Sequence, residues 1–229
     1  MHILLYYCCT IQYLSWIISK FLTNNNIKKG GIRFMLTSKE QLDALDKITS
    51  MTEKLTQTQL EFWQQYSHID TWGFKIVLFM FIIPLIFLYF VIDRKNIFLL
   101  GFYGTNIHIW FSYINIAGVK HGFFSYPFEL IPYIPGNLSL DAALIPVVYM
   151  IIYQWTINHK KNFYIYSIAL SLILAFAFKP ILVHLNLFVL NKGTNYFHLF
   201  FLYCIIFLFS KLITNLFLKM QNSPKYREV

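Results

Sequence analysis

Charged residues and cysteines are scarce in this sequence of 229 residues, and their scarcity excludes whole classes of protein. Asp, Glu, Lys and Arg make up 13% of the chain, whereas about 25% is usual in a soluble domain. The three cysteines, Cys8, Cys9 and Cys204, lie within apolar runs and lack C-x-x-C spacing. The sequence therefore predicts neither a soluble domain, nor a disulfide framework, nor a cysteine zinc site.

Motifs that carry chemistry are also missing. There is no glycine-rich phosphate loop, no H-E-x-x-H and no nucleophile elbow with a serine, histidine and acid. The formal charge of +9 comes from lysines and arginines beside apolar runs, without the stacking aromatics of a nucleic-acid surface. We therefore expect no cofactor, no metal and no nucleic-acid partner.

Long apolar runs are abundant, with 57% hydrophobic and 20% aromatic residues. A bilayer core of roughly 30 Å needs about 20 mostly apolar residues per helix. The sequence predicts an all-α fold, a polytopic helical membrane bundle in the cell membrane. Its domain, residues 72–218, has five predicted spans: 72–92, 97–117, 139–156, 163–185 and 196–218.

Residues 1–34 have two interpretations. Residues 3–22 are apolar enough to be a sixth span, but they lack the basic start and small-residue cleavage site of a signal peptide. Lys28-Lys29-Gly30-Gly31 can be encoded by a ribosome-binding sequence suitably spaced before Met35. The segment is then either an additional N-terminal helix or a leader translated ahead of a start at Met35.

Residues 35–71 are predicted to contain an amphipathic extramembrane helix. Ser38 and Gln41 fit a capping box, and Leu42, Leu45 and Leu55 lie in an apolar pattern at helical spacing. A solvated lead-in helix is one interpretation. The other is a coil over 38–63 that recruits an envelope protein or a second copy of the chain.

The orientation follows from the distribution of lysine and arginine. The turns at Arg94-Lys95 and Lys160-Lys161 and the tail, residues 219–229, share one side and collect most of the flanking positive charge. The sequence therefore predicts a cytoplasmic C-terminus.

Candidate site residues are the ionisable groups that this threading places in the external half of the bilayer. Such groups cost about 2.5–3.5 kcal/mol each on insertion scales, so they are functional candidates. Glu129 lies within a proline-rich loop, Asp141 begins the third span with Ser139 or Asp141 as its N-cap, and Lys179 lies late in the fourth. We expect Lys179 to be neutralised by Asp141 or Glu129. The alternatives for these groups are a packing pair, a substrate or proton site, or snorkelling of Lys179.

Three further residues complete the predicted ligand-binding set: Tyr126, His108 and His184. His108 lies mid-helix, where a hydrogen bond to a neighbouring helix is the simplest role. A zinc site combining His121, His184 or His198 with the two carboxylates is an alternative. It is the weaker one, because no pair has the i, i+3 or i, i+4 spacing of a persuasive metal site.

A set of short motifs over residues 63–218 resembles a known family. They are Asp93-Arg94, Tyr126-Pro127, Asp141 with Leu144-Ile145-Pro146, Tyr149-Met150 and Tyr153-Gln154. The family comprises small, about five-span membrane proteins from spore-forming Gram-positive bacteria, without an established activity. The resemblance implies acids where this chain has Asn115 and Lys179, so any proton or metal site using those acids is not expected here.

Three functional hypotheses follow. The first is a non-enzymatic membrane protein that binds or passes a small polar or lipidic ligand through a pocket on the external side. The second is a structural or assembly protein of the spore or cell envelope, acting through the helix at 38–63. The third is a membrane-embedded enzyme, for which the two carboxylates are not positioned by any local pattern.

Overall fold

The computed structural model describes residues 39–134 and 136–222 and is built mainly from helices. The chain divides into two units, residues 1–50 and 51–229. Six helices are seen in the described ranges: α1 Lys39–Tyr66, α2 Trp72–Val91, α3 Ile97–Lys120, α4 Leu140–Asn158, α5 Phe163–His184 and α6 Tyr196–Gln221. The ends of α2 to α6 lie within a few residues of the predicted spans.

Four helices in the described part of the chain, α2, α4, α5 and α6, are long and apolar enough to cross a membrane. A membrane-embedded protein fits this composition. α3 has 24 residues, about 36 Å of helix, but Asn106, His108 and Asn115 lower its mean hydropathy.

α3 packs against both α4 and α6 and buries Leu100, Tyr103 and Ile107 completely. Its approach to α4 is close at Gly104, where an added Cβ would lie 2.2 Å from the sulfur of Met150. An alanine there would overlap the Met150 side chain, which would have to shift to make room. The sequence shows a second glycine one turn earlier, at Gly101, but a Cβ there would meet nothing within 4 Å.

Two π-helical turns precede prolines inside α4 and α5. The first is Leu140–Leu144, closed by the Ile145 N–H donating to the Leu140 carbonyl, and the second is Leu174–Phe178. Pro146 and Pro180 lack an N–H, and their rings crowd the preceding turn. The wider turn accommodates that crowding, and such turns are frequent at functional sites. The first contains Asp141 and the second is followed directly by Lys179.

The start of α4 differs from the prediction. Neither Ser139 nor Asp141 caps the helix; the side-chain oxygen of Asn137 accepts the Leu140 N–H at 3.1 Å. Ser139 instead donates its hydroxyl proton to the carbonyl of Val77 on α2, at 2.7 Å. Asn137 rather than Ser139 caps the helix because Ser139 is fully buried and its hydroxyl needs a hydrogen-bond partner on α2.

The fold is not purely helical. Two short strands, β1 Phe124–Ser125 and β2 Val189–Leu190, pair antiparallel with Phe124 opposite Leu190. They join the loop after α3 to the segment after α5, which the sequence presents only as a short apolar run. Leu187 and Phe188, just before β2, are buried beneath the pair.

Asp93 caps the turn between α2 and α3. Its carboxylate accepts the Lys95 N–H at 2.9 Å and the Asn96 side-chain amide at 2.8 Å. The Lys95 N–H, followed by the Asn96 amide, holds the pKa of Asp93 below its usual range. Gln154 of α4 completes the turn, because its side chain accepts from the Asp93 N–H and donates to the Val91 carbonyl.

α1 has no buried residue. Leu42, Leu45, Met51 and Leu55 are all exposed. The predicted extra span or leader at 1–34, the capping residue Ser38 and most of the tail at 219–229 lie outside the described residues.

Candidate functional site

Four polar side chains form one buried chain of hydrogen bonds. The Asn115 amide of α3 donates to the Asp141 carboxylate of α4 at 2.7 Å. Tyr126, in the loop after β1, donates its hydroxyl proton to the Asn115 side-chain oxygen at 2.8 Å. The Lys179 ammonium of α5 donates to the Tyr126 hydroxyl at 3.4 Å, a long hydrogen bond. Three separate helices and one loop are therefore joined through these four residues, which we call the polar chain.

The donors of the polar chain all point the same way, from Lys179 toward Asp141. Each hydrogen bond therefore polarises the next, and the chain couples the positive charge of the ammonium electrostatically to the carboxylate. The link at Asn115 is an amide, whose N–H protons are not acidic. The chain is consequently suited to sharing charge rather than to relaying a proton along its length.

Lys179 is not neutralised by direct contact with a carboxylate of the described residues, contrary to what the sequence had led us to expect. In residues 39–134 and 136–222, Lys179 makes no ion pair with Asp141 or Glu129; Tyr126 and Asn115 stand between the charges. The ammonium also lies 3.6 Å from the ring centre of Phe188, a distance at which the ring face attracts a cation. Lys179 is only 2% exposed, so its charge depends on these contacts.

Asp141 is held in place from two further sides. Its backbone carbonyl accepts a hydrogen bond from Nδ1 of His108 at 2.6 Å, so this ring nitrogen carries the proton. Gly136, with φ +105°, lies so close that an added Cβ would be 2.8 Å from a carboxylate oxygen. His108 therefore has the helix-bridging role predicted for it.

A small cavity adjoins the polar chain. It has a volume of about 30 Å³ and a mainly apolar wall, and Asn115, Tyr126, Lys179 and Tyr203 are among the residues that line it. The hydroxyl of Tyr203 is buried and has no hydrogen-bond partner in the structure. A space of this size admits one water molecule or an ion of similar size, and excludes a lipid or a sugar.

A wider cleft of about 360 Å³ also has Tyr126 in its wall, together with Glu129, Trp63 and Ser67. Trp63 donates to the Glu129 carbonyl at 2.8 Å, and the Glu129 N–H donates to the Ser67 hydroxyl at 3.0 Å. Burial, and then the charge of Asp141, raise the pKa of Glu129 to about 8. Tyr126 contributes to the walls of both the cleft and the cavity.

The predicted site residues are thus only partly brought together. Asp141, Lys179, Tyr126 and His108 meet at the polar chain, and Glu129 lies in the neighbouring cleft. His184 is exposed at the end of α5, away from them. Across the described ranges no three His, Cys, Asp or Glu side chains gather into a group that could hold a metal ion. The zinc alternative therefore has no ligand set there.

Three residues of the site were not predicted from sequence: Asn115 as a hydrogen-bond donor to Asp141, Phe188 over Lys179, and Tyr203 at the cavity. Asn115 and Lys179 had been noted as departures from the resembled family, and they belong to the same polar chain. Phe188 and Tyr203 carry no signal in an aromatic-rich sequence, because only the packing of β2 and α6 brings them to Lys179.

No protein-family model, no curated protein and no solved structure matches this chain. The resemblance to a family of small membrane proteins therefore stays a prediction, and the functional conclusion depends on the geometry of the site.

Proposed function

We propose that this protein is a non-enzymatic membrane protein that binds a small anion in the cavity beside Lys179. The observation that carries the proposal is a water-sized cavity lined by Lys179, which is buried, and by Tyr203, whose buried hydroxyl has no hydrogen-bond partner in the structure. A buried hydroxyl without a partner is costly, and a ligand that accepts its proton removes the cost.

The polar groups around the cavity favour an anion over a cation. Lys179 can only donate hydrogen bonds, and Tyr203 has a proton free to donate. The carboxylate of Asp141, the group that would attract a cation, does not line the cavity and is already engaged by Asn115.

Charge balance couples the anion to the protonation of Asp141. While the carboxylate is ionised, the polar chain balances the ammonium. Once Asp141 takes up a proton, Lys179 is left as an uncompensated charge in a medium of low dielectric constant, where such a charge is costly. A small anion in the cavity restores neutrality, so proton and anion are expected to bind together.

The same proposal includes the membrane topology. We place α3 in the bilayer as a fifth span, because it is long enough and its polar residues Asn106, His108 and Asn115 face protein partners or lie at the site. The distribution of lysine and arginine supports a cytoplasmic C-terminus and a cavity in the external half. The cleft beside Glu129 is then the route of entry from outside, with Tyr126 in the walls of both the cleft and the cavity.

The test is thermal melting of the purified full chain in sodium chloride, sodium bromide and sodium gluconate at equal ionic strength. Gluconate is too large for the cavity, so the wild-type chain is expected to melt at a higher temperature in either halide. Asp141→Asn imitates the protonated carboxyl and is expected to enlarge the difference. Lys179→Met is expected to abolish it.

A matched control is Lys211→Met. Lys211 is also a helix lysine beside a tyrosine, donating to the Tyr153 hydroxyl at 2.6 Å, but it does not line the cavity. It is expected to retain the halide difference. The neutral pair Asp141→Asn with Lys179→Met serves if the single lysine variant does not fold. A wild-type chain that melts equally in all three salts, or a halide difference that survives in the neutral pair, would overturn the proposal.

A second candidate function is assembly of the spore or cell envelope through α1. It is favoured by the exposed apolar side chains of that helix, among them Leu42, Leu45 and Leu55. Deleting residues 39–62 is expected to abolish cross-linking between two differently tagged copies in native membranes while leaving the halide response intact. Unchanged cross-linking would exclude self-association through α1.

A further inference from the structure

A groove outside the polar chain runs between the C-terminal half of α3 and the N-terminal half of α6. Its volume is about 570 Å³, within the range of small-molecule sites. Ile114, Phe201 and Leu202 are among the apolar side chains of its walls. α6 is one of the helices apolar enough to span the bilayer, and under the proposed topology this part of the groove faces hydrocarbon.

One end of the groove is polar and offers hydrogen-bond donors. Lys192, Thr194 and His198 lie there, in and next to the loop between β2 and α6. The Lys192 ammonium donates one hydrogen bond, to the His121 carbonyl, and it has three protons in all. His198 accepts the Asn195 N–H at Nδ1, 3.2 Å away, so its proton is on Nε2 and is available to a ligand.

This end of the groove is positively charged. Among the described residues that line the groove, Lys192 is the only one with a formal charge and none is acidic. The groove therefore has a cationic end that is rich in hydrogen-bond donors and, along the rest of its length, an apolar wall. This is the pattern of an amphiphile with an anionic head and a hydrocarbon tail.

We infer that the groove binds an anionic phospholipid of the surrounding bilayer. The phosphate lies at Lys192 and His198, and an acyl chain follows the wall formed by Ile114, Phe201 and Leu202. A zwitterionic phospholipid fits the apolar wall equally well, but its headgroup carries a second, positive charge that Lys192 repels. The groove and the cavity share wall residues, yet the groove does not include Lys179 and the cavity does not include Lys192.

The test is native mass spectrometry of the full chain in detergent, with dioleoylphosphatidylglycerol or dioleoylphosphatidylcholine added at equal concentration. One lysine near a phosphate contributes about a fivefold preference. The wild-type chain is expected to retain phosphatidylglycerol about fivefold better than phosphatidylcholine, and Lys192→Gln to retain the two equally. Lys120→Gln is the matched control, because Lys120 is an exposed lysine at the end of α3 that does not line the groove.

A second variant tests the apolar wall. Ala117 lines the groove and is exposed, so Ala117→Trp is expected to fill the space and lower the retention of both lipids. Equal retention of the two lipids by the wild-type chain would overturn the inference. So would a loss of preference in Lys120→Gln as large as that in Lys192→Gln, since the effect would then be general to the surface. Lys192→Gln is expected to keep the halide response of the cavity, which separates this inference from the proposed function.

Discussion

Neutralising one end of the polar chain should cost far more than neutralising both. Lys179→Met leaves the Asp141 carboxylate buried without a cation, and leaving a buried charge uncompensated typically costs about 3–5 kcal/mol. The variant also loses the contact of the ammonium with the ring of Phe188, 3.6 Å away. Asp141→Asn keeps an oxygen that can accept from Asn115, but it leaves Lys179 uncompensated at a similar cost.

The double variant removes both charges together. The new amide can still accept from Asn115, and the methionine can pack against Phe188. We therefore expect a loss of about 1–2 kcal/mol, and a coupling energy of at least about 3 kcal/mol between the two positions. For a chain of this length each kcal/mol shifts the melting temperature by about 2–4 °C. The single variants should melt roughly 6–20 °C below wild type, and the double variant only a few degrees below.

The assay is thermal melting in detergent at a fixed scan rate, with gluconate as the anion so that the cavity holds no halide. Losses that simply add in the double variant would show that Asp141 and Lys179 are energetically independent. That result would refute the idea that Tyr126 and Asn115 transmit charge between them. Replacing gluconate by chloride should raise the melting temperature of Asp141→Asn more than that of the wild-type chain, because the halide supplies the missing negative charge.

Three further perturbations test the surroundings of the site. Glu129 has a pKa of about 8 in the folded chain against 4.5 in its unperturbed form. Its favourable contribution to the free energy of unfolding is therefore complete below pH 4.5 and is lost as the pH rises through 8. Glu129→Gln should flatten this pH dependence in melting curves from pH 4 to 9, by about 5 kcal/mol at most. Gly104→Ala should destabilise the chain by about 1–3 kcal/mol because its Cβ overlaps Met150, whereas Gly101→Ala, with open space around it, should be neutral or stabilising; equal effects would contradict the close approach of α3 and α4. Gln154→Leu should cost about 2 kcal/mol in denaturation, since it removes two hydrogen bonds from the turn after α2, and an unchanged midpoint would show that the turn forms without it.

The helices were predictable from sequence because bilayer length, proline and terminal polar residues leave few choices. Asp141 and Lys179 were predictable as candidate site residues because ionisable groups within apolar runs are rare. The N-terminal cap of α4 did not follow, since the choice of Asn137 over Ser139 depends on a carbonyl from α2 that local sequence does not show.

The candidate site was less predictable because its contacts are long-range. Tyr126 and Lys179 are 53 residues apart, and their contact depends on how α5 is packed. Tyr203 reaches the cavity from α6, and its importance comes from an unpartnered hydroxyl, which depends on three-dimensional packing. Sequence patterns identified the charges, whereas the groups that connect them required the fold.

Locating a bound halide tests the central claim most directly. Crystals of the chain grown in sodium bromide, measured at the bromine absorption edge, should show one anomalous peak within hydrogen-bond distance of the Lys179 ammonium and the Tyr203 hydroxyl. Asp141→Asn crystals should show the same peak at higher occupancy. A cavity without bromide at concentrations that saturate the melting shift, or bromide bound only at the protein surface, would contradict the account.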